Sequence, residues 1–186
     1  MRKLLVALCG FCLSIGASAI EMPRILPPHK VTLLSGSVLR DDIDTQRSLH
    51  FQHGVEYSYT LFPELMVAGL FNLSFDRNFQ ARESYLDESL YGLHLIAYYS
   101  YVYLLRFSVG IGPSLRAVKS TLGIGNEIVY AVWQYGLGFT GSLKVDYAIT
   151  SRWELGYNLL TEYRLPEPRT IWHQDIAHLF GVGYRF

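Results

Sequence analysis

The sequence predicts an all-β protein, a single eight-stranded antiparallel transmembrane β-barrel with short periplasmic turns and longer extracellular loops. Three observations predict this fold class. Apolar and polar residues alternate along eight segments, which is the signal of strands with two different faces. Half of the 186 residues are hydrophobic and 15% are aromatic, whereas only 17% are charged, below the quarter that is usual in soluble domains. Short and long connections also alternate between the segments, as in barrels that cross an outer membrane.

Length and charge exclude several classes of protein. A chain of 186 residues suits one domain. Lys and Arg number 16, as do Asp and Glu, so the formal net charge is +0. A nucleic-acid-binding surface would need a basic excess, so no nucleic-acid partner is expected. The many aromatic residues likewise argue against a disordered chain.

Residues 1–19 have the pattern of a signal peptide. Arg2 and Lys3 precede an apolar segment at 4–15, and small residues occupy 17–19, where a signal peptidase would cut. The apolar segment is shorter than the ~20 residues of a spanning helix, so we expect export rather than anchoring. The mature chain would keep 14 cations against 16 anions, a net charge of −2, and neither of the two cysteines. It would therefore have no disulfide.

The mature chain divides into a periplasmic lead-in at 20–30, which contains three prolines, and the barrel at 31–186. Seven alternating segments and one less regular first segment make up the eight strands: 31–39, 49–59, 65–75, 91–101, 105–111, 129–147, 153–163 and 176–186. Pro113 comes late in the fifth strand. Because proline cannot donate to a ladder, we expect a bulge or a strand end there.

The connections between these strands alternate in length. Short turns are predicted at 61–64, 100–104 and 149–152, and longer, more polar loops at 40–48, 76–89, 119–128 and 166–174. This layout places the short turns and both termini at the periplasmic end and the long loops outside the cell.

Two features favour a membrane barrel over a soluble one. The polar parity is rich in Gly, Ser, Asn and Gln, whereas a water-facing surface would be dense in Lys and Glu. Aromatic residues of the apolar parity also crowd both strand ends, where they would mark the membrane interfaces. They are Tyr57, Tyr59, Tyr99, Tyr101, Tyr147, Trp153 and Tyr184 at the short-turn end, and Phe51, Phe75, Tyr91, Trp133 and Tyr163 at the other. A soluble sandwich with an aromatic core is the alternative.

The C-terminus carries a further motif. Gly181, Tyr184 and the terminal Phe186 match the pattern that resembles the assembly signal of bacterial outer-membrane barrels, although Leu179 stands where a polar residue is usual. With the signal peptide and the eight strands, the chain resembles the small barrels of the OmpX, OmpW and opacity-antigen type. The resemblance implies a place in the outer membrane of a Gram-negative envelope, and folding with periplasmic chaperones and the barrel-assembly machinery. That group holds surface antigens, adhesins and porin-like small channels, so it does not specify an activity.

By parity, ten charged residues point into the lumen, five of each sign. They are Glu56, Arg106, Arg116, Lys144, Asp146, Glu154, Glu162, Arg164, Asp175 and Arg185. Because buried charges must be paired, we expect two ion-pair clusters. One would join Glu154 to Lys144 and Arg185, and the other would join Arg164 to Asp175. Eight strands enclose an interior that side chains fill, which favours a polar plug over the alternative of a gated narrow pore.

Catalytic chemistry has little support in the sequence. A lipid-modifying enzyme would need a nucleophile, a histidine base and an acid near the outer leaflet. His178 lies near the outer end of the last strand, and Ser48 and Ser89 lie at loop borders, without the His-x-Ser pairing that resembles lipid A deacylases. His53 falls on the lipid-facing parity, which the sequence does not explain. No catalytic, metal or cofactor site is predicted.

The sequence therefore predicts a non-enzymatic outer-membrane protein with a structural or surface-contact, adhesin-like role. A narrow channel for small or hydrophobic solutes is the first alternative, and a lipid-modifying enzyme is the second. The expected partners are membrane lipid, lipopolysaccharide and an extracellular partner bound by the loops. Arg mixed with aromatic residues at 76–89 is typical of such contact surfaces.

Overall fold

The computed structural model describes residues 27–41, 47–81, 84–125, 127–164 and 174–186. These residues form eight strands that close into one barrel in sequence order. The strands are β1 (His29–Asp41), β2 (Arg47–Phe62), β3 (Leu65–Ala81), β4 (Ser84–Val102), β5 (Arg106–Ile124), β6 (Glu127–Ala148), β7 (Trp153–Arg164) and β8 (Gln174–Arg185). The eight-stranded antiparallel barrel that the alternation predicts is confirmed.

The ring closes between the first and last strands. β1 pairs antiparallel with β8 from Lys30 opposite Arg185 to Leu39 opposite Ile176. Closure removes both sheet edges along this height, so the backbone donors and acceptors are paired within the protein, as hydrocarbon requires. Within the described part of the chain, no helix has the length and apolarity to span a bilayer.

Burial alternates along the strands with a period of two. In β4, for example, Ile96 and Tyr98 are fully buried inside the barrel, whereas Leu95 and Tyr99 are about two-thirds exposed on its outside. The residues that face the interior are therefore a mixture of polar and apolar side chains, whereas those on the outside are mostly apolar. That polarity is the reverse of a soluble barrel and fits a lipid solvent.

Strand β1 begins two residues before the predicted boundary of the barrel. Residues 29 and 30, the last of the predicted lead-in at 20–30, pair with β2 and are part of the sheet. The predicted signal peptide at 1–19 lies outside the described residues.

Two of the predicted long loops are strands in the structure. Most of 76–89 belongs to β3 and β4, and most of 119–128 belongs to β5 and β6. The ladder between β4 and β5 continues up to Ser84 opposite Ile124. Four strands therefore rise beyond the rim as one projecting sheet, which comprises the ends of β3, β4, β5 and β6. The other two predicted loops are at 40–48 and 166–174. Most of each lies outside the described residues, which leave out 42–46 and 165–173.

The expected bulge or strand end at Pro113 is wrong. Pro113 lies inside β5 and pairs with Phe139 of β6. On its other side the ladder with β4 is interrupted between His94–Ser114 and Ala97–Ile111, and the register is the same above and below. The missing donor of proline is therefore accommodated by a short gap in one ladder.

Candidate functional site

The lumen near the short turns holds a network of buried charges, here named the periplasmic cluster. Its members are Lys30, Glu56, Arg106, Lys144, Asp146, Glu154 and Arg185, all at most 5% exposed. They come from six strands, and each is on the inward parity. Four cations face three anions in this cluster, so nearly every charge has an opposite partner at hand.

Glu154 is the centre of one half of the periplasmic cluster. Its carboxylate accepts hydrogen bonds from Arg185 Nε at 2.5 Å and Arg185 Nη2 at 3.2 Å, a two-pronged contact. Lys30 Nζ donates to both Glu154 Oε2 at 3.0 Å and Asp146 Oδ2 at 2.9 Å. Arg106 lies in the same layer. The arrangement ties β1, β6, β7 and β8 together across the lumen.

The other half is centred on Glu56. Its carboxylate accepts a hydrogen bond from Lys144 Nζ and one from the Tyr98 hydroxyl. The sequence predicts a pair between Lys144 and Glu154. The structure instead pairs Lys144 with Glu56. Parity places a side chain inside the lumen, but which opposite strand it reaches depends on barrel tilt and stagger.

Lys30 is the member of this cluster that sequence reasoning missed. The predicted lead-in included it, because three prolines precede it. Its parity was nevertheless readable, since Lys30 shares a face with Thr32 and Leu34, both of which are buried. Extending the alternation backwards by one step would have found it.

A second group of charges lies toward the long hairpins. Arg116 forms an ion pair with Asp175, and the Ser114 hydroxyl donates to Glu162 Oε1 at 3.2 Å. Asp175 was expected to pair with Arg164. The side chain of Arg164 lies outside the described residues, and the described partner of Asp175 is Arg116 on β5.

An apolar layer separates the two groups of charges. Leu70, Ile96 and Leu179 are 0% exposed at its centre. Next to it, the His94 ring is hydrogen-bonded on both sides, to Thr140 Oγ1 at 2.7 Å and to Asn72 Nδ2 at 3.0 Å. A void of about 10 Å³ lies above this layer, which is at the lower limit for one water molecule. Side chains therefore fill the lumen at this height, as the diameter of an eight-stranded barrel implies.

The three residues of the predicted assembly signal lie in or just after β8. Gly181 faces inward, where an added Cβ would come within 2.6 Å of Leu34 Cδ2. Tyr184 packs edge-on against Trp153, with ring centroids 4.9 Å apart. Phe186 stacks on His29 at 5.7 Å, and its N–H donates to the His29 carbonyl at 3.0 Å. The C-terminal motif thus lies against the first strand, where the ring closes.

Among the described residues, polar side chains on the lipid-facing wall gather in a sector formed by β7, β8, β1 and β2. His53 is exposed on this wall, and its Nδ1 lies 3.0 Å from Ser35 Oγ on β1. Nearby, the Tyr157 hydroxyl lies 2.7 Å from His178 Nδ1, and Ser37 is the ladder partner of His178. β2 keeps a continuous register with β1 at His53, so the side chain does point to the lipid-facing side. The hydrogen bond with Ser35 satisfies one ring nitrogen there.

The residues considered for catalysis do not converge. The described hydrogen-bond partner of His178 is the phenol of Tyr157, which is neither the serine nucleophile nor the carboxylate that the expected constellation needs. Ser89 lies on β4, at the opposite side of the eight-strand ring from β8. The side chain of Ser48 lies outside the described residues.

The projecting sheet ends in an apolar edge with which no other described strand pairs, and it is here named the free edge. β6 pairs with β7 from Gly138 onward, opposite Arg164. Among the described residues, 127–137 therefore have a strand neighbour only on the β5 side. Ile128, Val129 and Tyr130 are each 58–66% exposed along this edge. Residues of both parities are exposed here, unlike those inside the barrel, because no lumen lies behind the sheet.

Comparison with known proteins supports the fold. Neisserial surface protein A superposes with a TM-score of 0.69 at 18% sequence identity, over 85% of this chain and 97% of the other. Ail, the attachment invasion locus protein of Yersinia pestis, gives 0.62 at 10% identity over 87% and 100%. The N-terminal β-barrel domain of Pseudomonas aeruginosa OprF gives 0.56 at 15% over 84% and 97%. The chain has the fold of the small outer-membrane β-barrel proteins.

At these identities the likeness concerns the fold alone. No protein-family profile matches the chain, and no curated protein sequence does. The similarity to small outer-membrane barrels that the sequence indicates is thus confirmed at the level of architecture, and the activity has to be argued from this chain's own surfaces.

Proposed function

We propose that this chain is a non-enzymatic protein of the cell outer membrane, exported by residues 1–19, whose barrel is a scaffold and whose projecting sheet contacts partners at the cell surface. Folding would use periplasmic chaperones and the barrel-assembly machinery. The fold shared with small outer-membrane barrels supports this placement. The apolar outer wall between two aromatic belts supports it as well.

The free edge of β6 is the observation that carries the surface-contact role. Within the described part of the chain, residues 127–137 have no strand paired on their outer side, and Ile128, Val129 and Tyr130 are exposed beside this edge. Free edges are usually blunted by Lys or Pro, and this segment contains neither. From Trp133 in the outer aromatic belt to Glu127, the strand extends about 20 Å further.

Such an edge binds extended polypeptide. A partner strand can add its backbone hydrogen bonds to the open edge, while side-chain pockets select its sequence. The apolar character of both faces at 128–132 favours a partner segment that is itself apolar on alternate residues. We therefore infer an adhesin-like contact with an exposed β-strand of another protein.

The two alternatives have less support. The apolar layer of Leu70, Ile96 and Leu179 and the ion pairs on either side support a plug, not a conducting channel. His178 on β8 and Ser89 on β4 lie on opposite sides of the ring, so this histidine and this serine do not form a base and nucleophile pair. A channel would need a continuous open path through the lumen, and an enzyme would need a nucleophile next to a base.

Lysine substitution on the free edge tests the surface-contact role. Val129→Lys with Ala131→Lys adds charge to the edge and should lower adhesion of expressing Gram-negative cells to an epithelial monolayer about tenfold, the factor that ~1.4 kcal/mol produces. The control, Tyr103→Lys with Leu104→Lys, puts the same charge into an exposed turn at the other end. Both variants are checked for surface level and for heat-modifiable migration on a gel. Equal adhesion of wild-type and edge-variant cells would reject the role.

A further inference from the structure

A groove of about 720 Å³ lies on the lipid-facing wall of the barrel, centred on β1. Its walls are apolar side chains on both sides of β1, namely Leu33, Val55, Phe71, Leu155, Phe180 and Val182. Glycines at 54, 156 and 181 lie at the bottom. The groove exists because Ser35 is small, whereas its ladder neighbours His53 and Phe180 are large.

A polar pair borders this apolar groove. Ser35 Oγ and His53 Nδ1 are 3.0 Å apart, and both side chains are exposed on the outer wall. Among the described residues, Ser35 is the hydrogen-bond partner of the ring, and Nε2 has none. In hydrocarbon an unsatisfied polar nitrogen is costly. The geometry at Nε2 therefore calls for a hydrogen-bonding group supplied from the bilayer.

The depth of the Ser35–His53 pair in the bilayer limits which lipid group can reach His53 Nε2. His53 lies two residues from Phe51 of the outer belt and four from Tyr57 of the periplasmic belt, which is about 7 Å and about 14 Å along the strand. The pair thus lies just below the outer interface, inside the acyl region of the outer leaflet. A serine hydroxyl and an imidazole can each hydrogen-bond an ester or hydroxyl oxygen, which is the polar chemistry that an acyl chain offers at this depth.

We propose that the groove binds an acyl chain of lipopolysaccharide, with a polar group of that chain hydrogen-bonded to the Ser35–His53 pair. The acyl chains of lipopolysaccharide carry hydroxyl and ester groups part-way down the chain, below the ester level of a phospholipid. Such a group reaches the depth of His53, and the remaining chain fills the apolar groove. This site is separate from the projecting sheet, so it does not depend on the proposed surface contact.

The other side of the barrel is a built-in comparison. On β4, β5 and β6 the lipid-facing wall presents Leu95, Val109 and Leu143, which are 52–63% exposed and apolar. These three side chains offer lipid a purely apolar surface. They have no hydrogen-bonding group that could select a lipid with a polar group on its acyl chain. A specific lipid is therefore expected on the β1 side and general bilayer lipid on the β4–β6 side.

The test measures lipid retained by the folded, full-length mature protein. The protein is placed in nanodiscs of phosphatidylcholine with lipopolysaccharide as the probe, extracted in mild detergent and examined by native mass spectrometry. Wild-type protein should retain one lipopolysaccharide. Ser35→Phe, which fills the groove, and His53→Leu, which removes the polar partner, should each lower retention at least about tenfold.

The matched control is Leu143→Phe, which adds an aromatic ring to the opposite wall and should retain lipopolysaccharide as wild type does. Heat-modifiable migration shows that each variant is folded. Unchanged retention in Ser35→Phe and His53→Leu would overturn the proposal. So would retention of phosphatidylcholine in preference to lipopolysaccharide, or an equal loss in Leu143→Phe.

Discussion

Glu56 and Lys144 are both completely buried, and together with Tyr98 they form a network that links three strands, β2, β4 and β6. A buried ion pair adds little net stability compared with an apolar pair of the same size, because both charges lose their hydration. Breaking one partner is different, since it leaves the other charge buried alone. The network therefore matters more for which side chains occupy the lumen than for how stable the barrel is.

Replacing one partner should be much worse than replacing both. Lys144→Met leaves Glu56 without its cation and should lower the free energy of unfolding by about 3 to 5 kcal/mol. Lys144→Met combined with Glu56→Leu should recover most of that loss. Urea titrations in vesicles, followed by the heat-modifiable gel shift, measure both variants. A double variant as unstable as the single one would contradict this account of the pair.

Gly36 should not tolerate a side chain. It lies on β1 at the closing ladder, and an added Cβ would come within 1.8 Å of the His178 carbonyl oxygen. Because that neighbour is backbone, β1 and β8 would have to separate. Gly36→Ala should therefore reduce the folded, heat-modifiable fraction in the outer membrane.

Gly141→Ala is the control for this glycine substitution. Gly141 is also in a strand, but no heavy atom lies within 4 Å of its added Cβ. It should fold like wild type. Equal folding yields for Gly36→Ala and Gly141→Ala would show that the close approach does not limit assembly.

Among the described residues, β3 to β6 continue past the rim, whereas β1, β2, β7 and β8 are described only as far as the rim. The extra length is held by strand pairing, because residues 119–124 of β5 lie between β4 and β6. Above the membrane both faces of the sheet meet water, so the apolar–polar alternation that marks a strand disappears. Sequence reasoning took the loss of alternation for a loop, whereas backbone hydrogen bonding continues the strand.

Hydrogen exchange should separate the central strand of the projecting sheet from its edge. Amides at 119–124 are flanked by two strands, whereas those at 127–132 have one strand neighbour among the described residues. The β5 segment should exchange more slowly, since opening it breaks more hydrogen bonds. Mass spectrometry of the protein in nanodiscs measures this. Fast exchange throughout 119–124 would indicate that these residues are a loop after all.

For the whole molecule, the filled lumen predicts that the protein does not conduct. Leu70, Ile96 and Leu179 close the middle of the barrel, and ion pairs lie on either side. Planar-bilayer recordings of pure wild-type protein should show no reproducible single-channel steps. Truncating all three residues to Ala should remove this layer and produce steps, whereas truncating Leu95 and Leu143 on the lipid face should not. Steps from the wild-type protein would overturn the plug.

The fold was largely predictable because a barrel in lipid imposes one rule on every strand. Most outward residues are apolar, so a period of two runs through the membrane-spanning part of the chain and specifies which residues face the lumen. That rule placed Glu154 and Arg185 on the same interior face. It did not state that Lys144 would reach Glu56, since cross-lumen contacts depend on the tilt and stagger of the strands.

The sequence by itself determined the strand number, the two faces, the aromatic belts and the position of the C-terminal motif, because each follows from local alternation and composition. Only the tertiary structure decided the ion-pair partners, the length of the projecting sheet and the Ser35–His53 groove. These depend on which strands are neighbours around the closed ring and at what height. Residues distant in the chain, such as Ser35 and Phe180, become neighbours only when β1 meets β8.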